Sequence, residues 1–372
     1  MRAGTRLLMA KQNLVLRIAH TADVHLGRAF GYLGESASAH QERLKRAFRR
    51  VFEQAGRYGC AAVLIAGDLF DSPSVGRAWV AFALEVIEGA RLPTVVIPGN
   101  HDPAERHPFR EIDLPSNLHF AVETGRVRLR ELDLELVACP AGDGARWEAA
   151  LRRDPNGAPF QVALMHGSMP SAGGHGDIQP QWLSASGLDY VALGDWHSPQ
   201  DWTQGRTVCW YSGAPEMILP RQRLPATMCI VELAQGQPAR VAHAVTGEAR
   251  YPDDAPDGAL EWDVSRYADA QSLLRDLKTA LTPETVATVR LVGRWSAEEP
   301  LDVPMLTESL QPHCLWLEIL PAFQVGQLTP QTPFESLLVQ VAQDYANHAP
   351  QQAELYREAA QLSLYLLRGG RL

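Results

Sequence analysis

The chain has 372 residues, which is too long for one average domain, so we expect a large domain with smaller additions. Its composition, 46% hydrophobic and 21% charged, is that of an ordinary globular protein and argues against a disordered chain. The net charge of -9 argues against a surface coated in positive charge for non-specific DNA binding, although a local basic face would still allow contact with DNA.

The N-terminal segment, residues 1–13, is basic, but its apolar run is too short for the core of a signal peptide. No continuous apolar stretch approaches the length of a membrane span. We therefore expect a flexible N-terminus over residues 1–13, no membrane contact and a cytoplasmic location.

Five cysteines are scattered along the chain without C-x-x-C spacing, and most of them fall in apolar runs that are typical of strands. We interpret them as buried thiols, which excludes a zinc site and a disulfide framework. They are Cys60, Cys139, Cys209, Cys229 and Cys314.

Residues 14–250 are predicted to form one large α/β domain. Apolar runs of strand length occur at residues 14–19, 61–66, 94–97, 162–165 and 190–193, and each ends at Gly, Asp, His or Pro. Strands that are apolar on both faces and alternate with helices predict a layered fold, with mixed central sheets flanked by helices. Three later runs, 208–212, 228–233 and 240–245, follow one another without helices and predict an antiparallel addition to a mixed sheet.

A helix is predicted over residues 41–57, where apolar side chains recur at i, i+3, i+4 and i+7. Its opposite face is basic, and two interpretations are open: the cations line a DNA groove, or they form a solvated helix face. The basic residues are Arg43, Lys45, Arg46, Arg49 and Arg50.

Residues 251–258 are rich in Pro, Asp and Gly and are typical of a linker. Beyond it, residues 259–325 predict a small α/β domain with strands at 260–264, 286–295 and 315–320 and helices at 268–281 and 305–310.

The tail, residues 331–372, is predicted to be helical and to begin with a capping box at Thr332, Pro333 and Glu335. It carries two apolar stripes, which either pack on the same protein or dock a partner. The stripes are Phe334, Leu337, Leu338, Val341, Ala342 and Tyr345, and Leu355, Ala359, Leu362 and Leu366.

Asp, His and Asn residues recur at the C-terminal ends of the predicted strands, where α/β sheets place ligands. Each cluster alone is weak evidence, because such turns are common. Together they supply carboxylate, imidazole and amide groups suited to two divalent ions. The five clusters are Asp23-Val-His25, Gly67-Asp68, Gly99-Asn100-His101-Asp102, His166-Gly167 and Gly194-Asp195-Trp196-His197.

Hydrolysis of a phosphodiester requires such a ligand set, because the substrate is anionic and repels hydroxide. Two cations about 3.5 to 4 Å apart neutralise that charge, lower the pKa of a bridging water and hold the attacking and leaving oxygens. Asp68 is the expected bridge, since a carboxylate has two oxygens. Without metal, the carboxylates of Asp23, Asp68 and Asp195 would repel one another.

This pattern, D-x-H, G-D, G-N-H-D, H and G-x-x-H, resembles the calcineurin-like metallophosphoesterase superfamily over roughly residues 14–245. Four segments are similar to the SbcD-type DNA repair exonucleases: His20-Thr-Ala-Asp-Val-His-Leu-Gly27, Leu64-Ile-Ala-Gly-Asp-Leu-Phe-Asp71, Val96-Ile-Pro-Gly-Asn-His-Asp102 and Tyr211-Ser-Gly-Ala-Pro-Glu216. The resemblance implies DNA as substrate, residues 259–325 as a capping domain, and a helical tail that docks on an SMC-like coiled-coil ATPase of the SbcC type.

The resemblance also implies a ligand set. Metal one would bind Asp23, His25, Asp68 and His197, and metal two would bind Asp68, Asn100, His166 and Asp195. His101 would contact the scissile phosphate and protonate the leaving 3′ oxygen, with Asp102 orienting its ring. The two ions are expected to be manganese, with magnesium as the alternative.

One residue departs from the family pattern. The last cluster of the family usually reads Gly-His-x-His, whereas this chain has Asp195 in the first histidine position. An additional carboxylate makes the second site harder and more negative, which favours manganese or magnesium, or it weakens that site.

Other residues near the clusters have simpler interpretations. We interpret His20, His40, His107 and His175 as structural or exposed, with His175 in a loop at the rim of the site. Trp196 and Trp202 are interpreted as buried aromatics, with stacking on a base as the alternative.

Three functions remain open from the sequence. The leading one is a metal-dependent DNA exonuclease and endonuclease that works beside an ATPase in repair or defence. The alternatives are a phosphoesterase for a small nucleotide or a phosphoprotein, and a non-catalytic scaffold with the same fold. The residues that contact nucleic acid are not identified, and a homodimer is left open.

Overall fold

The structure, a computed structural model, describes residues 14–170, 176–297 and 299–371. These residues form two compact units, one that ends at Glu248 and one that begins at Ala249. None of the described helices is long and apolar enough to cross a membrane. The predicted flexible N-terminus, residues 1–13, lies outside the described residues.

Strands and helices alternate in two stretches of the first unit, residues 15–97 and 134–194, as the apolar runs predict. The strands are β1 (Val15–Thr21), β2 (Ala62–Ala66), β3 (Thr94–Ile97), β4 (Leu118–Phe120), β5 (Gly125–Leu129), β6 (Leu134–Cys139), β7 (Phe160–His166), β8 (Tyr190–Gly194), β9 (Gln200–Asp201), β10 (Val208–Tyr211), β11 (Thr227–Ala234) and β12 (Arg240–Val245). The helices are α1 (Ala37–Arg57), α2 (Arg77–Ala90), α3 (Gly144–Ala150) and α4 (Pro180–Ser186).

The strands form two mixed sheets of six. In the first sheet the order is β12-β11-β1-β2-β3-β4, with β1 to β4 parallel and β11 and β12 antiparallel. In the second sheet the order is β5-β6-β7-β8-β10-β9, with β6, β7, β8 and β10 parallel. The predicted layered α/β fold with mixed central sheets is therefore confirmed.

The prediction for β10 was wrong in part. It was expected to join an antiparallel addition together with β11 and β12, but it pairs in parallel with β8 in the second sheet. The connection from Gly194 to Val208 is long enough to return the chain to the start of the sheet, as a parallel pairing requires. Only β11 and β12 form the predicted antiparallel pair.

The two sheets share one apolar core. Successive side chains of a strand point to opposite faces, so Leu134 and Leu136 of β6 and Leu164 of β7 pack in this shared core with Leu64 of β2. The alternate side chains of β6 and β7 pack in a second cluster with Trp147 of α3. Truncating one of these leucines to alanine is expected to cost ~2–5 kcal/mol.

The helix predicted at residues 41–57 is confirmed and begins slightly earlier, at Ala37. Its apolar face, which includes Leu44, Phe48 and Val51, is fully buried. The five cysteines are buried free thiols, as expected.

The second unit is an α/β layer with a helical hairpin. Its strands are β13 (Ala259–Asp263), β14 (Val286–Val292), β15 (Arg294–Trp295), β16 (Trp316–Pro321) and β17 (Gln324–Val325), and its helices are α5 (Ala270–Thr279), α6 (Val303–Leu310), α7 (Pro333–His348) and α8 (Ala353–Leu367). β13, β14 and β16 form a parallel sheet, and β15 pairs separately with β17.

The strand predicted at residues 286–295 is interrupted at Gly293. This glycine has φ +86°, and a Cβ there would lie 2.2 Å from Asp263 Oδ1, so no larger residue fits without movement. The chain therefore leaves the β13-β14-β16 sheet at this point and continues as β15.

The helical tail packs in part on its own unit. The predicted cap is present, because Thr332 Oγ1 accepts a hydrogen bond from Glu335 N at 3.1 Å. Leu364 and Tyr365 of α8 are fully buried in the core of the unit. Most of the predicted stripes face solvent instead, and their exposed members are Phe334, Leu337, Val341, Tyr345, Leu355, Leu362 and Leu366.

Candidate metal centre

The structure brings the seven predicted ligands together. Asp23 and His25 follow β1, Asp68 follows β2, Asn100 follows β3, His166 ends β7, and Asp195 and His197 follow β8. β1, β2 and β3 run parallel to one another, as do β7 and β8, so their C-terminal ends lie at the same edge of the two-sheet core.

The backbone at this edge is unusual. Asp23, His25 and Asp68 have φ values of 53°, 52° and 51°, and Asp195 has a φ of 109°. Non-glycine residues seldom adopt this region, which costs on the order of 1 kcal/mol or more each, and such residues concentrate at functional sites. The strain is retained because the surrounding sheets hold the chain in place.

Two glycines allow the strand ends to approach closely. A Cβ on Gly99 would lie 2.0 Å from Asp68 Oδ1, and a Cβ on Gly67 would lie 2.2 Å from His166 Nδ1. Both distances are far below van der Waals contact, so only glycine lets these ligands reach their positions.

The first group of ligands surrounds His25. Its Nδ1 donates to Asp71 Oδ1 at 3.0 Å, so Nε2 presents its lone pair. That Nε2 atom is buried without a hydrogen-bond partner among the described residues and lies 3.7 Å from Asp68 Oδ2. Ligand atoms of Asp23, His25 and His197 all lie within 4.8 Å of one another. A buried imidazole nitrogen beside carboxylates fits a divalent cation.

The second group surrounds His166. Its Nδ1 donates to the Ala66 carbonyl at 2.8 Å, which leaves Nε2 to face the site. Nε2 lies 2.7 Å from Asn100 Oδ1, 3.6 Å from Asp68 Oδ2 and 3.9 Å from Asp195 Oδ1. Asp68 Oδ2 is thus near Nε2 of both His25 and His166, and these residues fit two ions that share Asp68.

The electrostatics of the cluster favour added positive charge. Burial raises the pKa of Asp23 well above its ordinary value, and the nearby Asp68 carboxylate adds to the rise. Burial also raises the pKa of Asp195. Burial and the neighbouring His25 lower the pKa of His197 to about 3, so its imidazole is neutral and can ligate a metal.

His101 lies beside the cluster and is more exposed than His25 and His166, with 42% of its side chain accessible. Its backbone N donates to Asp68 Oδ1 at 2.8 Å, and its ring lies edge-on to that of His25 at 4.6 Å between centroids. An exposed imidazole at the mouth of a buried ligand cluster can reach a substrate.

Asp102 differs from its predicted role. It was expected to orient the His101 ring, but it is fully buried and accepts hydrogen bonds from Gly99 N at 2.7 Å and Phe70 N at 3.0 Å. His107 Nε2 lies 3.2 Å from its second oxygen. Asp102 therefore ties the loops after β2 and β3 together.

The residue next to the His101 ring is Asp71, which the sequence interpretation did not single out. Its carbonyl oxygen accepts from His101 Nδ1 at 3.1 Å, and its carboxylate accepts from His25 and from Arg28 Nη1 at 2.9 Å. Metal-ligating histidines commonly donate a hydrogen bond from their second ring nitrogen to a carboxylate. The acidic residue three positions after Asp68 could therefore have been predicted as the hydrogen-bond partner of a histidine ligand.

The remaining histidines are structural, as predicted, where they are described. His20 Nδ1 lies 2.9 Å from Tyr190 Oη, and His40 Nε2 donates to the Met217 carbonyl at 2.7 Å. His175 lies outside the described residues.

The basic face of α1 is largely used within the first unit. Arg46 and Arg50 pair with Glu248, and the Arg49 guanidinium lies over the Phe82 ring at 4.6 Å. The structure thus favours a structural role for these cations over a DNA groove. Of the two tryptophans, Trp202 is partly buried but Trp196 is 55% exposed, so the prediction of a buried Trp196 was wrong.

Comparison with known proteins gives a family profile and several relatives. The profile of the calcineurin-like phosphoesterases matches residues 16–199, the stretch that holds all seven predicted ligands. The chain is 29% identical over 202 residues to the metallophosphoesterase YhaO of Bacillus subtilis, covering 50% of this chain and 49% of that protein.

Two further relatives carry more specific names. The DNA double-strand break repair protein Mre11 of Methanosarcina mazei is 27% identical over 239 residues, covering 59% of this chain and 36% of that protein. The SbcD component of the nuclease SbcCD of Rhodobacter capsulatus is 29% identical over 260 residues, covering 54% of this chain and 62% of that protein. Each match spans less than two thirds of the relative.

Proposed function

Residues 16–199 form a domain of the calcineurin-like phosphoesterase family, and from this premise we propose that the chain is a metal-dependent DNA nuclease. The family is one of metal-binding hydrolases that act on phosphoester bonds. DNA as the substrate is supported by the two relatives named for DNA double-strand break repair and as a component of a nuclease.

The observation that carries the proposed chemistry is the position of Asp68 between two buried imidazole nitrogens. His25 Nε2 and His166 Nε2 lie 3.7 and 3.6 Å from Asp68 Oδ2. The Nδ1 atom of each ring donates a hydrogen bond to a protein oxygen, Asp71 Oδ1 for His25 and the Ala66 carbonyl for His166. This arrangement supports Asp23, His25, Asp68 and His197 as ligands of one ion. Asp68, Asn100, His166 and Asp195 would hold the other.

Two bound divalent ions would neutralise the charge of a phosphodiester and lower the pKa of an attacking water. The protein's own contribution is to hold the ligands before substrate arrives, because the strained backbone and the glycine contacts leave them little freedom. Asp71 keeps the proton of His25 on Nδ1, so that Nε2 is always the ligating atom.

His101 is proposed as the general acid. Its ring is exposed beside the cluster, and its backbone is fixed to Asp68. With Nδ1–H donated to the Asp71 carbonyl, the proton on Nε2 of the imidazolium is the one that moves to the leaving 3′ oxygen.

Manganese is proposed as the metal, with magnesium as the alternative. The second group of ligands contains carboxylate and amide oxygens from Asp68, Asn100 and Asp195 and one imidazole from His166. Oxygen-rich sets of this kind suit manganese and magnesium.

An SMC-like ATPase is proposed as the partner of the tail. The exposed apolar residues of α7, Phe334, Leu337, Val341 and Tyr345, are large and lie at helical spacing. Monomeric soluble proteins seldom expose such a continuous patch without a binding role. A partner helix with its own apolar stripe is the type of surface that would cover it.

The proposed function is tested with purified protein, manganese and end-labelled linear DNA. We expect release of nucleotides by the wild type and loss of cleavage in His101→Ala, with the stoichiometry of bound manganese unchanged. His119→Ala is the matched control, because His119 is an exposed histidine on β4 and should keep full activity. If the protein hydrolyses a small diester but leaves DNA intact, the nuclease assignment is wrong.

The scaffold alternative is separated by a manganese titration in a calorimeter. Two ions per chain are expected for the nuclease. Fewer than two, together with absence of cleavage, would support a fold without turnover.

A further inference from the structure

Trp196 is the one residue between two proposed metal ligands, Asp195 and His197, and 55% of its surface is exposed. Burying an indole removes a large apolar area from water, so tryptophan in a folded chain is usually well covered. An exposed indole within one residue of both ion sites is therefore a feature that packing does not explain.

Other tryptophans of the same unit are used differently. Trp147 is 2% exposed and belongs to the apolar cluster behind the second sheet, and Trp202 packs partly against that cluster. Among the described residues, Trp196 has no ring contact with another aromatic side chain and no cation over its face. More than half of its surface is therefore accessible to a partner from outside the protein.

The position of Trp196 relates it to the reacting phosphate. Consecutive Cα atoms are about 3.8 Å apart, so the Cα of Trp196 lies directly beside those of two proposed ligands, one from each group. Asp195 has a φ of 109°, and its backbone N donates to Asp23 Oδ1 at 3.0 Å, which fixes the loop where Trp196 begins. The backbone from which the indole extends is thus held to the ligand cluster.

A cation lies on a segment held to the same loop. Ser198 lies two residues after Trp196, and its Oγ accepts a hydrogen bond from the backbone N–H of Arg223 at 3.0 Å. The side chain of Arg223 is exposed. No described acidic residue forms an ion pair with it. Proteins that bind single-stranded nucleic acid combine aromatic platforms with cations that contact the backbone.

We propose that Trp196 stacks on an unpaired nucleobase next to the scissile phosphate, and that the preferred substrate is a nucleic acid strand with an unpaired base at the cleavage site. The inference rests on the proposed function, because it presumes that the phosphodiester at the metal centre belongs to a nucleotide. A base inside a duplex has both faces stacked on its neighbours, so an internal base must leave the stack before its face can meet the indole.

The test compares two single strands of equal length, one of thymidines and one of abasic sites with the same phosphates. The readout is the ratio of kcat/KM for the two strands with manganese. In the wild type the thymidine strand should be preferred, and Trp196→Ala should reduce that ratio by about 5-fold to 150-fold, the range that corresponds to one stacked base. Trp196→Phe should restore much of the preference, because it keeps an aromatic plane.

The controls separate stacking from damage to the site. Tyr58→Ala removes an exposed aromatic of the same unit, at the end of α1, and should leave the ratio unchanged. Manganese binding by Trp196→Ala should match the wild type. An unchanged ratio in Trp196→Ala, or an equal loss on both strands, overturns the inference while the nuclease assignment stands. If the wild type cleaves neither strand, the proposed function itself fails.

Discussion

Gly99→Ala is a small change that should disable the metal centre. The added Cβ would lie 2.0 Å from Asp68 Oδ1 and 2.4 Å from Asp68 N. Since Gly99 does not have a positive φ of the kind that favours glycine, the alanine introduces no backbone strain of its own, and the nearest atoms it meets all belong to the proposed bridging ligand.

The magnitude follows from the overlap. Ordinary contacts of carbon occur at ~3.5 Å, so Asp68 or the loop after β3 must move by ~1.5 Å. Overpacking of this kind costs ~1–3 kcal/mol of stability. A misplacement of ~1 Å in a catalytic site costs on the order of 100-fold in rate. We therefore expect at least that loss of kcat, with the protein still folded.

The assay measures the melting temperature, manganese affinity by calorimetry and DNA cleavage on the same preparations. Gly56→Ala is the matched control, because Gly56 lies in α1 and a Cβ there meets nothing within 4 Å. That variant should gain ~0.5–1 kcal/mol of stability and keep full activity. Two manganese ions bound with wild-type affinity in Gly99→Ala would refute the role given to Asp68.

Other substitutions address separate parts of the protein. Asp195→Asn should weaken the second manganese site by ~10-fold or more in a titration and change the first site less; equal weakening would contradict the ligand assignment. Arg46 and Arg50 lower the pKa of Glu248 from 4.5 to about 2, so its ionised form stabilises the fold above pH 4.5 and that contribution is lost as the pH falls towards 2. The stability difference between wild type and Glu248→Gln, followed by urea unfolding, should close over that range, and a difference independent of pH would count against the pairing. Leu337→Glu on the exposed face of α7 should leave the melting temperature nearly unchanged but prevent co-purification with the ATPase, whereas Tyr365→Ala, in the core, should cost ~3–5 kcal/mol.

The sequence predicted the parts of the fold that have strong periodicity. Apolar runs such as residues 62–66 became buried parallel strands, and the short segment after each run became part of the site, because the ends of parallel strands converge. The five clusters were therefore predictable from strand ends and residue types, whereas the division of seven ligands between two ions came from the family resemblance. The side chains were brought together by sheet order, which a single sequence does not contain.

The sequence did not predict the surroundings of two residues, Asp102 and Trp196. Asp102 was expected beside its neighbour His101, but its hydrogen bonds go to Gly99 and Phe70, because a buried carboxylate is placed where unpaired backbone N–H groups are available. Trp196 was expected to be buried because tryptophan usually is.

The most direct test of the two-metal centre is anomalous diffraction from manganese in crystals of the protein. Two peaks about 3.5 to 4 Å apart are expected, one on each side of Asp68, with the first also bound by His25 and the second by His166. A single peak, or two peaks that do not share Asp68, would contradict the proposed mechanism.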